Sequence, residues 1–187
     1  RLVQGVTRGN GVEGELITAN VLACRNVPKS IPHKGRVIVR GEAVIRYSDF
    51  DKINEAIEDA DAKYKNPRNL CSGSVRQLNN QITARRRVRF YAFSLVQAGD
   101  LDFDNSRQRQ MDFLREQGFE TVEYVRVTPS DVADKIGEFE ARIAQNDIPS
   151  DGLVLTRDDI AYGESLGTTA KFPGNSIAFK WADEIKE

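Results

Sequence analysis

Between Ala62 and Gly99 the chain carries Arg68, Arg76, Arg85, Arg86, Arg87 and Arg89 but no Asp or Glu, although acids exceed Lys and Arg 28 to 27 overall. A planar guanidinium fork matches phosphate oxygens, and clustered positive charge draws in a polyanion even when the whole protein is near neutral. Two readings stand: a polyanion-facing surface, or a solvated basic surface that pairs with acids elsewhere in the fold. Other residues carry potential chemistry. Arg40 and Glu42 sit two apart in a strand-like run, as a surface charge pair or as a polar pair lining a cavity. The glycine-rich stretch at 7–15 permits positive φ and close backbone approach to a ligand. Lys180 lies in an apolar strand, and an inward lysine there is costly unless it meets an anion. Phe90 reads as core, while Tyr91 or Phe93 offers a ring on which a base could stack.

The rest of the composition excludes several chemistries. His33 is the only histidine, in a Pro-His-Lys-Gly turn, so a Ser-His-Asp triad or a histidine-rich metal site is a poor fit. Catalysis must rest on Lys, Arg, Asp and Glu. Cys24 and Cys71 lack the paired spacing of a zinc site and read as two buried thiols of a reducing cytoplasm. A formal charge of −1 leaves no global pull toward nucleic acid or membrane. No apolar run approaches the roughly 20 residues needed to span a bilayer, and no signal peptide is evident. At 187 residues, one compact domain or two small ones are expected, with 40% hydrophobic and 29% charged residues typical of a soluble globular protein.

Positioning these residues requires a mixed set of elements. The chain opens as though a strand were already under way, which suggests that the natural chain extends upstream. A helix is expected at about 15–24. Residues 36–47 alternate as a strand, Val37, Val39, Ala43, Ile45 and Tyr47 on one face and Arg40, Glu42 and Arg46 on the other. Ser48 is placed to cap the following helix, where Phe50, Ile53, Ile57 and Ala60 recur at helical spacing. Asn66-Pro67 starts a helix over 66–78, on which Arg68 and Arg76 would fall within about 80° of each other. A strand is expected at 88–96, a helix from Asn105 or Ser106 to Gln117 with Gly118 as its stop, and a strand at 121–127. Thr128-Pro-Ser-Asp131 opens a helix whose Val132, Ile136, Phe139 and Ile143 face the core. A buried strand at 152–155, a short helix at 160–166 and a strand at 176–181 complete an α+β pattern. In the last strand Ile177, Phe179 and Trp181 share a face and Lys180 points the other way.

Eight segments then match one family in order. They are Thr-Arg-Gly-Asn-Gly at 7–11, Val-Arg-Gly-Glu at 39–42, Asn-Pro-Arg-Asn at 66–69 and Ser-Val-Arg-Gln-Leu at 74–78. Ile-Thr-Ala-Arg-Arg at 82–86, Ser-Asp-Gly-Leu-Val at 150–154, Leu-Gly-Thr-Thr at 166–169 and Ile-Ala-Phe-Lys at 177–180 follow. Together they resemble the adenylation (nucleotidyltransferase) domain of bacterial NAD-dependent DNA ligases over residues 1–187. The resemblance implies an α+β nucleotidyltransferase (ATP-grasp-like) fold, with mixed or antiparallel sheets flanked by helices. It implies AMP transfer from NAD to an enzyme lysine, then to the 5′-phosphate of nicked DNA, and sealing by the 3′-hydroxyl. Cations and Mg2+ would offset the phosphate charge.

By that resemblance Glu42 binds the AMP ribose, Lys180 contacts phosphate and Asp151 belongs to the motif that closes the pocket. Arg8 comes from the turn beside the nucleotide, and Phe93 is the base-stacking ring. Arg68, Arg76 and Arg86 address the nicked duplex, whereas Arg87 and Arg89 keep the solvated-surface reading. No metal ligand is assigned. The family's nucleophile lies in a Lys-x-Asp-Gly motif, which occurs nowhere in the sequence, and Thr156 stands where many members have a phosphate-binding lysine. The expectation is a partial adenylation domain, inactive alone. It would lack the nucleophile segment, the nicotinamide-mononucleotide-binding region and the oligonucleotide-binding, zinc-finger, helix-hairpin-helix and BRCT modules, Zn2+ belonging only to the zinc finger. The implied setting is a monomer in the bacterial cytoplasm, associated with the nucleoid and with replication and repair. A non-catalytic nucleotide- or nucleic-acid-binding domain is the alternative. An ATP-using relative is disfavoured by the Asn-Pro-Arg-Asn helix.

Overall fold

Alternating side chains after Gly35 make β1 (Ile38–Val44), with Ile38, Arg40 and Glu42 exposed and Val39, Gly41 and Ala43 half-buried between them. It pairs antiparallel with β2 (Arg89–Gln97). The register slips twice: Ile38 opposes Gln97 but Val39 opposes Leu95, and Arg40 opposes Ser94 but Gly41 opposes Ala92. Val96 and Phe93 are therefore the extra residues of two bulges, which explains why these large side chains are 49% and 44% exposed in a strand that buries Tyr91, Ala92 and Leu95. Gly41 has no substitute here, because a Cβ would collide with the Phe90 ring and the Tyr91 carbonyl. The computed structural model describes residues 1–169 and 173–180; Trp181 lies outside them.

The chain forms two compact units. The first comprises Arg1–Gly99, Phe113–Val122 and Asp147–Pro149; the second comprises Asp100–Asp112, Glu123–Asn146 and the chain from Ser150 onward. In the first unit α1 (Thr18–Ala23) is shorter than expected, since Val6 and Leu16 form an antiparallel bridge before it. The 36–47 strand ends early as well. Tyr47 starts α2 (Tyr47–Glu55) and is exposed, because Asp147 captures this end of the helix. The Ser48 N–H and hydroxyl donate to the Asp147 carboxylate at 2.9 and 2.5 Å, so Ser48 is not the helix cap that the sequence suggested. The same hydroxyl holds the Asp147 carboxyl below its usual range.

Asn66 caps α3 (Pro67–Ser74) as expected, its side chain accepting from the Asn69 N–H at 2.8 Å, with Pro67 at the first position. The helix stops at Ser74 rather than Leu78, so Arg76 lies beyond it and is not on a helical face with Arg68. In a longer helix the Ser74 carbonyl would accept from the residue 78 N–H; here the Thr83 hydroxyl donates to it at 2.8 Å. A short α4 (Asn80–Arg85) follows, capped by Asn79. Ile45, Leu70 and Val88 are wholly buried and form one core with Cys24 and Cys71, against which Phe50, Ile53, Tyr64 and Val75 pack. Burying each such aliphatic side chain contributes about 1.5–3 kcal/mol.

Helix α5 (Arg107–Glu116) ends near Gly118, whose φ of 92° suits the turn that follows. The strand expected at 121–127 does not form. Only Thr121 bridges Ala92, and beyond it Glu123 pairs with Arg142 while Tyr124 donates to Asp112. In the second unit α6 (Val132–Ile143) buries Phe139 and half-buries Val132, Ile136 and Ile143, the expected stripe. Strands β3 (Gly152–Thr156) and β4 (Ser176–Lys180) pair antiparallel on either side of α7 (Ile160–Ser165). β3 is not the buried strand expected: Val154 is 67% exposed, and Ile177 of β4 63%, because β3 and β4 pair only with each other among the described residues. No helix among the described residues is long and apolar enough to cross a membrane.

Both cysteines are buried, free and pushed up by that burial, Cys24 to about 11 and Cys71 to about 12 from 9.0. Raised values keep the thiols protonated, so the stability they carry is full below pH 9 and is lost as pH climbs through 11–12. Alkylation by iodoacetamide at pH 8 should therefore label neither cysteine in the folded chain and both in denaturant, read by mass; labelling of the native chain would contradict this packing.

Candidate functional site

The turn at 7–15 braces itself. The Thr7 N–H donates to the Glu15 carbonyl at 3.0 Å, and the Glu15 N–H donates back to the Thr7 hydroxyl at 2.9 Å. The Asn10 side-chain carbonyl accepts from the N–H groups of Val12 and Glu13 at 2.9 and 2.8 Å. Gly9, at φ 55°, packs so tightly on the Glu13 carbonyl that a Cβ would overlap it. Thr7, Gly9, Asn10, Glu13, Glu15 and Arg76 line a concavity of about 340 Å³ beside this turn. Arg8 is exposed on the same turn but does not line the concavity.

Arg76 closes the far side through an ion pair with Glu15 at 3.2 Å, both side chains more than half exposed. Such a pair contributes only about 0–1 kcal/mol, so Arg76 can exchange Glu15 for a phosphate at small cost. With Glu13 and Glu15 against one guanidinium, the concavity suits hydroxyl and amine donors until that exchange occurs.

A buried polar network holds the loop that carries Arg76. Asn20 is 7% exposed, and its side-chain amide donates to the Gln77 carbonyl at 2.8 Å and to the Thr83 hydroxyl at 2.9 Å. The Thr83 hydroxyl in turn donates a hydrogen bond to the Ser74 carbonyl at 2.8 Å. Arg86 extends the network, donating to the Ser74 hydroxyl at 3.1 Å and the Tyr64 hydroxyl at 2.9 Å, its guanidinium 5.3 Å from the Tyr64 ring centre. Sequence reasoning missed Asn20, Thr83 and Tyr64. Asn20 shows only as a polar residue inside an apolar helical run, and its partners stand 57 and 63 positions away.

Glu42 is exposed on β1 opposite Tyr91, and the bulged Phe93 lies two residues along β2. The Glu42 carboxylate also adds to the upward push on the Cys71 thiol, which puts its charge beside α3. Arg68 is exposed in the first turn of that helix and is engaged by a partner. Arg87 and Arg89 pair with acids from elsewhere in the fold, as the basic-surface reading has it: Asp49 at 3.2 Å and Glu120 at 3.6 Å. In the second unit Gly152 stands opposite Lys180, with Asp151 just before it. Lys180 is exposed, contrary to the inward lysine expected, because its strand has one neighbour among the described residues. Thr156 ends β3 with its hydroxyl 3.1 Å from that of Ser176, and the Arg157 guanidinium stacks on Tyr162 at 5.2 Å. Among the described residues no three His, Cys, Asp or Glu converge on a metal position.

Removing a buried partner leaves polar groups unsatisfied at about 1–3 kcal/mol each. Asn20→Ala should therefore lower unfolding stability by roughly that amount in a urea titration; a change within error would deny the network its role.

Sequence comparison adds the relatives. The family model for the NAD-dependent DNA ligase adenylation domain matches residues 1–184. Proteins named DNA ligase from Ruminiclostridium cellulolyticum and Lachnoclostridium phytofermentans are 61% and 59% identical over 186 residues, covering 100% of this chain and 28% of each relative. One from Campylobacter jejuni is 41% identical over 184 residues, 97% of this chain and 28% of its own length. The chain thus spans 28% of the length of these curated relatives.

Proposed function

The chain belongs to the NAD-dependent DNA ligase adenylation domain family, and from that premise we propose that it is the part of such a ligase that binds the adenylate and the nicked duplex. The fold proposed is the nucleotidyltransferase (ATP-grasp-like) one, and the substrates are NAD, as AMP donor, and nicked double-stranded DNA. The observation that supports the reading is the β1–β2 pair, which leaves the Glu42 carboxylate exposed and the bulged Phe93 ring exposed two residues beyond Tyr91, the register partner of Glu42. Glu42 fits ribose hydroxyls as an acceptor, and Phe93 fits the adenine face.

NAD supplies an activated adenylyl group when bound; the chain's residues hold and orient it. Arg8 and the turn at 7–15 border the nucleotide. Asp151, as part of the pocket motif, and Lys180, as a phosphate contact, are the second unit's residues in this reading. Arg68 and Arg76 take duplex phosphates, Arg76 by releasing Glu15. Arg86 acts differently from the reading its sequence motif suggested. Half-buried and bonded to Ser74 and Tyr64, it supports the Arg76 loop, and its effect on DNA is indirect. Mg2+ is commonly held through substrate phosphates with only one or two carboxylates, and no residue is assigned to it. A monomer working in the cytoplasm on replication and repair nicks accords with this role.

The alternative, a binding domain without catalysis, draws on one fact: no Lys-x-Asp-Gly occurs in the 187 residues. Intact-mass measurement after incubation with NAD and Mg2+ should show no AMP adduct on this chain, and an adduct on a version extended upstream through a Lys-x-Asp-Gly segment. An adduct on the short chain would overturn the account of its nucleophile; none on the extended version would favour the binding domain.

In the extended protein, reassembled with the remaining ligase modules, Glu42→Ala should weaken nucleotide binding with the fold intact. Arg76→Ala should cut nick sealing roughly 10- to 100-fold, the equivalent of a charged hydrogen bond, and leave self-adenylation nearly unchanged. Equal losses in both steps would contradict a DNA-facing Arg76.

A further inference from the structure

The acid-free stretch divides by the fate of its arginines. Arg76, Arg87 and Arg89 meet Glu15, Asp49 and Glu120, Arg86 is committed to Ser74 and Tyr64, and Arg68 is engaged. Arg85 is exposed and has no ion pair among the described residues. It borders a second concavity of about 230 Å³, which it lines with Asp49, Lys52, Ile53, Ala56 and Arg87.

Positions 49, 52, 53 and 56 recur at helical spacing, so one face of α2 forms a wall. The other acids of α2, Asp51 and Glu55, do not line it, and Lys52 has no ion pair among the described residues. Asp49, nearly buried, fixes Arg87 at 3.2 Å; Arg87 itself holds a left-handed φ of 53° where α4 turns into β2. Within the lining three cations meet one carboxylate, and the Asp147 carboxylate, outside it, acts on Lys52. The C-terminal ends of α2 and α4 lower the local potential further, and the cations without an ion pair among the described residues are Lys52 and Arg85.

We propose that Lys52 and Arg85, on the rim that Arg87 frames, form a seat for a backbone phosphate of duplex DNA, separate from the Arg76 loop. The proposal rests on the DNA-binding reading above. Neither residue is buried, so both can be truncated without disturbing the core. Ile53 and Ala56 leave the floor apolar, which suits a sugar–phosphate edge more than a free hydrated anion.

The test is salt-dependent binding of the chain to a short nicked duplex, followed by fluorescence anisotropy between about 50 and 200 mM NaCl. The double variant Lys52→Ala/Arg85→Ala should bind more weakly, and its log–log salt slope should flatten by about 0.9 for each phosphate that is no longer neutralised. Arg85→Lys should restore most of the slope, and Lys34→Ala, another exposed cation, should leave it unchanged. Circular dichroism checks that the double variant is folded. An unchanged slope and affinity in the folded double variant would overturn the seat alone. Equal flattening by Lys34→Ala would reduce it to net charge and overturn it too. No measurable binding by the unsubstituted chain would overturn the seat and the DNA-binding reading together.

Discussion

The hydrogen bonds of Asn20 are the constraint on which the first unit depends. A buried amide that loses its partners is expensive, so α1 cannot shift relative to α3 and α4 without breaking bonds to Gln77 and Thr83 at once. Through Thr83 the same constraint ends α3 at Ser74, and through Ser74 it reaches Arg86 and Tyr64. Arg76 stays on the loop between these anchors. A flexible arginine on a fixed loop, with an exposed and exchangeable partner, can pass from Glu15 to a phosphate without refolding.

The arginines illustrate how little residue type says about role. Six identical side chains in an acid-free run reach different ends because their partners come from remote parts of the chain. Arg86 directs its donors to a hydroxyl and a phenol, Arg87 and Arg89 meet carboxylates, and Arg85 is left with none among the described residues. One of the two readings of the run is visible in its ion pairs. Acids from elsewhere do neutralise much of it, and the remaining charge concentrates at Arg85 and the exchangeable Arg76.

Bulges give β2 a second job. A regular strand would put Phe93 on the face of the buried Tyr91 and Leu95, whereas the register slips at Phe93 and Val96 leave both exposed without breaking the pairing around Glu42. Gly41 makes this possible by letting the Phe90 ring lie across β1. In the second unit, the β3–β4 pair instead leaves Lys180 and much of its apolar surface in solvent.

Local patterns alone determined the capped start of α3, the alternation of β1, the apolar stripe of α6, the Gly118 stop and the family to which the eight motifs point. Each of these depends on neighbours within a few residues, where spacing and side-chain type suffice. The tertiary structure decided where α3 ends, why Ser48 does not cap α2, that no strand forms at 121–127, that Lys180 is exposed and which arginines are spoken for. Those outcomes hang on Thr83, Asp147, the pairing of β4 with β3, Glu15, Asp49 and Glu120. Hydrogen bonds and ion pairs at such separations leave no periodic trace in a sequence.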